Sequence, residues 1–265
     1  MHDIERCRTE SLGRQMYPCE QCHDSHYSYH SCKNRHCPTC HHEPAEQWLE
    51  HQQSVLRPVP HVLVTFTLPE ALRALARSHQ KAVDSLLFRA SSAALQDLAW
   101  DPRFIGGRGA LVRVLHPWTR DLRYPPHVHY LATGGGLAAD GHWRPARPDF
   151  LVPVKPLAVL FRAKFRDGLQ KTALYPRVDA YVWHKHGVVP CEPVGRGQEA
   201  LRSLAPSLFR VAISHHRMLT LADGQVTLQD KESATAQVKT CTVTAEECIR
   251  RFLQHVLPAR CVTVR

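Results

Sequence analysis

The chain has 265 residues, 43% of them hydrophobic and 22% charged, which excludes a disordered protein and allows one large domain or a small module beside a medium one. Lysine and arginine outnumber aspartate and glutamate by 34 to 24, and the net charge of +10 favours a polyanionic partner, nucleic acid first. No run of about 18 apolar residues occurs and the opening MHDIERCRTE lacks an apolar core, so no membrane span or secretory leader is expected and a cytoplasmic location is.

The first 42 residues are rich in cysteine and histidine and too poor in aliphatic side chains to build a core. Six of the ten cysteines fall in the first 40 residues, and in a reducing compartment they read as metal ligands. CEQC (19–22) and CPTC (37–40) are two C-x-x-C knuckles separated by 14 residues, so Cys19, Cys22, Cys37 and Cys40 are the expected ligands of a four-thiolate zinc site. Cys7, Cys32 and His36, with one of His23, His26, His30 or His41, are enough for a second zinc but lack its regular spacing. Lys33 and Arg35 stand between ligands, where a metal-stiffened loop would present them to DNA phosphates.

From Pro44 onward the pattern is globular. AEQWLEHQQSVLR has helical spacing, HVLVTFTL reads as a strand, and residues 69–100 carry apolar positions three and four apart, as in one long helix or a helix pair. ALVRVLH (110–116) and HVHYLAT (127–133) read as successive strands joined by the ten-residue loop PWTRDLRYPP. A turn at Asp140-Gly141 follows, then a helix through PLAVLFRAKFRDGLQKTAL, a short strand at YVW (181–183), and a helix in GQEALRSLAPSLFR interrupted by Pro206. RMLTLADGQVTLQD is a hairpin about Asp223-Gly224, and TAEECIRRFLQHVL a helix with a threonine cap. Strands joined by short turns and interleaved with helices predict an α+β fold in which helices pack a central antiparallel sheet.

In an extended chain His127 and His129 project to one side and Val128 to the other. Two readings are compatible with this pair: metal ligands on rigid backbone, or surface histidines of a half-buried strand. His116 ends the preceding strand, so in a hairpin it lies beside the start of the next and can reach the same ion. Three imidazoles on an open face would hold Mg²⁺ or Mn²⁺ with positions left for phosphate oxygens.

LGRQMYPCEQCHDSHYSYHSCKNRHCPTC, PHVHYLATGGGL, ALRSLAPSLFRVAIS and CIRRFLQHVLP, in this order, resemble the successive motifs of rolling-circle insertion-sequence transposases of the two-tyrosine HUH class, insertion sequence family 91, related to Helitrons. The resemblance runs from about residue 5 to the C-terminus. It implies a zinc-binding module (1–45), connecting helices and a first strand (46–108), and a nuclease core (109–265) with a nucleophile helix near 197–210. It further implies metal ligands at His127 and His129, a single-stranded or hairpin-bearing DNA end as partner, and a prokaryotic, nucleoid-associated setting. Two family tyrosines four residues apart attack a phosphate and leave a 5′-phosphotyrosine link; they fall on Ser203 and Ser207.

Serine is less acidic than a phenol of pKa about 10 and much shorter, and no neighbour in the sequence activates it. The expectation is therefore a chain that keeps the metal- and DNA-binding parts and cannot cut. Arg202 and Arg210, with Arg162, Lys185 and Arg217, could follow the DNA backbone. A non-catalytic zinc DNA-binding protein and a metal-dependent hydrolase of another substrate are the competing classes. A hydrolase would call for carboxylates near the histidines, and the close ones, Asp121 and Asp140, sit in loop or turn segments.

Overall fold

A computed structural model describes residues 2–22, 24–34, 37, 40, 42–116, 124–184, 189–209, 217–231 and 238–253. The N-terminal part holds a one-turn helix α1 (His2–Glu5) and a hairpin of β1 (Arg14–Pro18) and β2 (Ser25–Tyr29), nearly all of it exposed. Helix α2 (His42–Val55) leads to β3 (His61–Thr67), then to α3 (Arg73–Ser78) and α4 (Gln80–Trp100), the helix pair that the apolar spacing predicts. β4 (Leu111–His116) and β5 (His127–Thr133) follow as successive antiparallel strands.

β3 pairs with β5 on its other side, and β8 (Cys191–Pro193) adds to β3, which gives a four-stranded antiparallel sheet of order β4-β5-β3-β8. Both faces of this sheet are covered, which explains the near-continuous apolar run of β3. Val62, Val64, Phe66, Val128, Tyr130 and Ala132 face one way, into the main core against α4 and α5 (Val154–Gln170). α5 meets them with a stripe at Leu157, Phe161, Phe165 and Leu169, spaced for one helix face. Leu131 faces the other way, against Ala200 and Leu201 of α6 (Gln198–Phe209) and Trp48 and Leu49 of α2. Helices thus pack an antiparallel sheet in an α+β fold, as the sequence implies.

β6 (Gly135–Leu137) and β7 (Trp143–Pro145) form the small hairpin turned at Asp140-Gly141. The triple glycine that follows β5 serves close packing: a Cβ on Gly136 would stand 2.6 Å from the Gly107 carbonyl carbon. The last unit is a three-stranded sheet of β9 (Met218–Ala222), β10 (Gln225–Lys231) and β11 (Val238–Thr244), covered by α7 (Ala245–Leu253). Its hairpin turns on Asp223 at φ 49° and Gly224 at φ 70°, a primed turn that asparagine, aspartate and glycine favour. The Thr244 hydroxyl accepts from the Glu247 N–H and caps α7.

Two elements differ from the sequence expectation. YVW lies within a 3-10 helix, Ala180–His184, not a strand; Asp179 starts it, its carboxylate accepting from the Tyr181 N–H and its carbonyl from the Val182 N–H. α6 runs on through Pro206 instead of stopping there. A proline in a helix removes one i→i−4 bond, here to the Arg202 carbonyl, and the burial of Ala200, Leu201, Leu204 and Ala205 offsets that loss.

Candidate functional site

The cysteines that the structure gathers are Cys7, Cys32, Cys37 and Cys40, whose four sulfurs lie within 4.8 Å of one another. Cys7 and Cys40 are 3.2 Å apart, Cys32 and Cys40 3.6 Å. Four thiolates 2.3 Å from a tetrahedral zinc would stand about 3.8 Å apart, so the donor set and its spacing fit that ion. Backbone amides aim at the sulfurs: Asn34 N–H donates to Cys32 at 3.4 Å and Cys32 N–H to Cys7 at 3.5 Å. Lys33, in the turn between them, takes a left-handed φ of 50° and is exposed. Burial pushes the Cys32 thiol up to about 12 and raises that of Cys40, so without a cation these two thiols stay protonated.

This set corrects the expected one, Cys19, Cys22, Cys37 and Cys40. The physical reason is the hairpin, which an apolar-spacing argument misses in so exposed a segment. Cys19 and Cys22 lie in the loop beyond Pro18, whereas Cys7 and Cys32 lie at the open end, where Arg8 N–H donates to the His30 carbonyl and His30 N–H to that of Gly13. Five strand residues separate the two ends by about 17 Å. Cys7 and Cys32, expected in a second site, therefore complete the first one. His36 and Arg35 are outside the described residues.

The second cluster is His116, His127 and His129, with one ring nitrogen from each within 4.8 Å of the others. Strand register builds it. His116 lies directly opposite His127, and Val114 opposite His129, so alternation puts all three imidazoles on one face of the sheet. The ring centroids of His127 and His129 are 4.8 Å apart, as are those of His116 and His127.

Hydrogen bonds orient two of the rings. His127 Nδ1 is 2.8 Å from the Pro125 carbonyl, which can only accept, so Nδ1 carries the proton and Nε2 the lone pair. His129 Nδ1 is 2.9 Å from the Thr65 hydroxyl, and the tautomer donating to Thr65 likewise leaves Nε2 as a ligand. Burial holds both imidazoles below the usual histidine range, His129 down to about 4 with His127 adding to the effect, so they stay neutral and able to bind metal. Three converging imidazoles with these outer partners fit a divalent cation.

Loss of the Thr65 hydroxyl alone is expected to weaken divalent-ion binding here by about 10–100-fold. Titration of Thr65→Val with Mn²⁺ checks this, with Thr65→Ser retaining most of the affinity. Acid should weaken the ion-free fold as well. A folded-state value below the unfolded 6.5 means that the unfolded chain takes up protons first, so stability is full above about pH 6.5 and falls as pH drops toward 4, by on the order of 3 kcal/mol for His129. Urea denaturation between pH 7 and 4.5 measures that loss, and His129→Asn should flatten it.

The α6 helix stands on the same side of the sheet. Leu131 follows His127 and His129 in alternation, and it is Leu131 that packs on Ala200 and Leu201. Ser203 is exposed on the next turn of α6, and Ser207 lies four residues on. Arg202 is exposed beside Ser203; Arg210 and Lys185 are outside the described residues. Tyr130 points into the opposite core, its hydroxyl 2.6 Å from that of Ser91, with burial raising its phenol pKa. It is therefore no substitute nucleophile.

A family model described as "Transposase zinc-binding domain", of the IS91 type, matches residues 1–68, and a second, described as "Putative transposase", matches residues 110–265. The chain is 37% identical over 279 aligned residues to "Putative transposase y4qJ" of Sinorhizobium fredii, across 97% of this chain and 70% of that protein.

The chain belongs to the IS91 family of transposases.

It is also 33% identical over 140 residues to the "Transposase for insertion sequence element IS801" of Pseudomonas savastanoi pv. phaseolicola, across 52% of this chain and 33% of that protein. No solved structure matches. The family's zinc-binding domain coincides with the four-cysteine cluster, and the histidine cluster lies within the larger match. No described helix is long and apolar enough to cross a membrane.

Proposed function

We propose that this chain is a rolling-circle transposase of the HUH type that retains its DNA- and metal-binding parts and has lost strand cleavage. The observation that supports the reading is the placement of α6 on the histidine face of the sheet; the resemblance assigns Ser203 and Ser207 of that helix to the nucleophile positions. Residues 1–45 form the zinc module, 46–108 the connecting helices and first strand, and 109–265 the nuclease core. The substrate is the single-stranded or hairpin-bearing end of a mobile element, met at the nucleoid in the cytoplasm. Lys33, Arg35, Arg202 and Arg210 contact its phosphates, so affinity falls steeply with salt.

Within the core His116, His127 and His129 hold the cation, Mn²⁺ more readily than Mg²⁺ because the cluster has no carboxylate among the described residues. A bound divalent ion neutralises phosphate oxygens as the ester is displaced. Thr65 and the Pro125 carbonyl fix the ring tautomers, and α6 presents positions 203 and 207 on one helix face. A tyrosine at either position would attack phosphorus, expel the 3′-oxygen and become the 5′-phosphotyrosine. A serine there is too short and too weakly acidic for that displacement.

Incubation of the chain with labelled element-end DNA and Mn²⁺ tests the reading: binding without any covalent adduct is expected. A labelled, protease-sensitive adduct on a denaturing gel would overturn it. The serines also favour a second reading, a zinc-containing DNA-binding protein derived from a transposase, with no use for the histidine cluster. In that case His127→Ala/His129→Ala would leave both divalent-ion and DNA binding unchanged.

A further inference from the structure

The end of the sheet away from the histidines carries an exposed aromatic row. β5 starts at His127 and ends at Thr133, about 20 Å along the strand, and from there the chain enters β6. Arg108 and Leu137 are bridged there in both directions, each N–H donating to the other's carbonyl at 2.9 Å. Leu137 in turn lies directly opposite Trp143 in the β6–β7 hairpin. Residues opposite one another share a face, so Arg108, Leu137 and Trp143 form a line across three adjacent backbones, about 10 Å from first to last. Trp100, the last residue of α4, extends it, with the Arg108 guanidinium carbon 5.4 Å from its ring centre.

The row faces solvent. Trp100 is 43% exposed, Leu137 53% and Trp143 41%, and Arg108 is exposed between them. Apolar surface gathered in this way about a polar group marks a place of interaction. The chain also fixes how one ring is held: a Cβ on Gly135 would stand 2.6 Å from Cζ2 of Trp143 and 2.9 Å from Cε2. Only glycine lets the indole lie across the ribbon here.

Charge selects the partner. Arg103 pairs with Asp101 and Arg144 with Asp140, whereas no carboxylate among the described residues pairs with Arg108. A guanidinium with no acid to balance it, set between two indoles, suits a partner that is anionic and carries flat apolar rings. Single-stranded nucleic acid has both, because its phosphates are charged and its unpaired bases are open to stacking.

We propose that Trp100, Arg108 and Trp143 form a second surface for single-stranded DNA, on which two unpaired bases stack on the indoles and Arg108 takes the phosphate between them. This surface rests on the reading of the chain as a binder of single-stranded element ends, and it holds the strand at the opposite end of β5 from the histidine cluster.

Fluorescence anisotropy of a labelled oligothymidylate of about twenty nucleotides, titrated with the intact protein in Mn²⁺ buffer, tests it, with the same strand paired to its complement as the control. Trp100→Ala/Trp143→Ala is expected to weaken single-strand binding by at least about 30-fold and duplex binding by less than about twofold, since paired bases offer no face for stacking. Trp100→Tyr/Trp143→Tyr keeps the ring faces and should recover most of the affinity. Arg108→Gln should lower the slope of log affinity against log salt by about 0.7, one phosphate contact on a single strand. Unchanged zinc content and an unchanged urea midpoint show that the double alanine variant is folded. Unchanged single-strand affinity in that variant, an equal loss for the duplex, or no single-strand binding by the unaltered chain would overturn this surface. Mn²⁺ binding at His127 and His129 is measured apart from it, so failure here leaves the reading of that site standing.

Discussion

Replacement of Ser203 and Ser207 together by tyrosine is expected to restore a covalent protein–DNA adduct in the presence of Mn²⁺, from a level indistinguishable from background in the unaltered chain. The expectation follows from parts that are still in place. α6 keeps its buried face at Ala200, Leu201, Leu204 and Ala205, and it still packs on Leu131, two residues beyond His129 on the same side of the sheet. On the proposed reading only the reacting groups are missing. A phenol adds reach and an acidic hydroxyl where serine has neither. Ser203 is exposed on α6, so a tyrosine there meets no buried wall. Single tyrosine variants should give adduct with one strand end only, because two nucleophiles on one helix face serve two strands in turn. Denaturing gels with 5′- and 3′-labelled strands resolve which end is retained, and His127→Ala/His129→Ala in the tyrosine background should abolish the adduct.

The second large effect concerns the four-thiolate cluster. Cys32→Ser/Cys37→Ser is expected to release its zinc and to unfold residues 1–42, while the four-stranded sheet and its helices stay folded. Cys37 is fully buried, yet the apolar side chains around it form no core cluster among the described residues. Metal binding therefore supplies the folding free energy of the module, on the order of 10 kcal/mol in structural zinc sites at neutral pH. Lys33 in its left-handed turn is part of that cost, since a non-glycine residue takes this conformation only where its surroundings hold it. Limited proteolysis should cut the variant within the first 42 residues and spare β3 through α6. Cys19→Ser/Cys22→Ser, by contrast, should leave this part protected, because those two thiols lie at the far end of the hairpin.

The sheet and the histidine cluster were legible because each rests on strand alternation. His-Val-His followed by Tyr130, Leu131 and Ala132 specifies which side chains share a face, and the pairing of β4 with β5 then brings His116 opposite His127. The helix pair after β3 was equally plain, since its apolar spacing is set by the core that it covers. The zinc ligands were legible as a group but not as a set. Equal C-x-x-C spacing says that each knuckle can bind metal, not that the two share an ion, and the intervening hairpin has no apolar periodicity by which it could be found. β8 and β11 left a weak trace for a similar reason: β8 is three residues on a sheet edge, and β11 has an almost wholly exposed side-chain pattern. Thr65 could not be singled out, as its role depends on facing His129 across two strands sixty-four residues apart. At Pro206 a local rule failed because helix propensity is a small term beside the burial of a helix face.

The central claim is that the imidazoles of His127 and His129 hold a divalent ion that positions a DNA phosphate. Mn²⁺ binding followed by electron paramagnetic resonance, with and without single-stranded element-end DNA, tests it most directly. One Mn²⁺ should bind per chain in addition to structural zinc and bind more tightly with DNA present, and His127→Ala/His129→Ala should abolish this at unchanged zinc content. Mn²⁺ affinity that is the same in the double variant, or indifferent to DNA, would contradict the account.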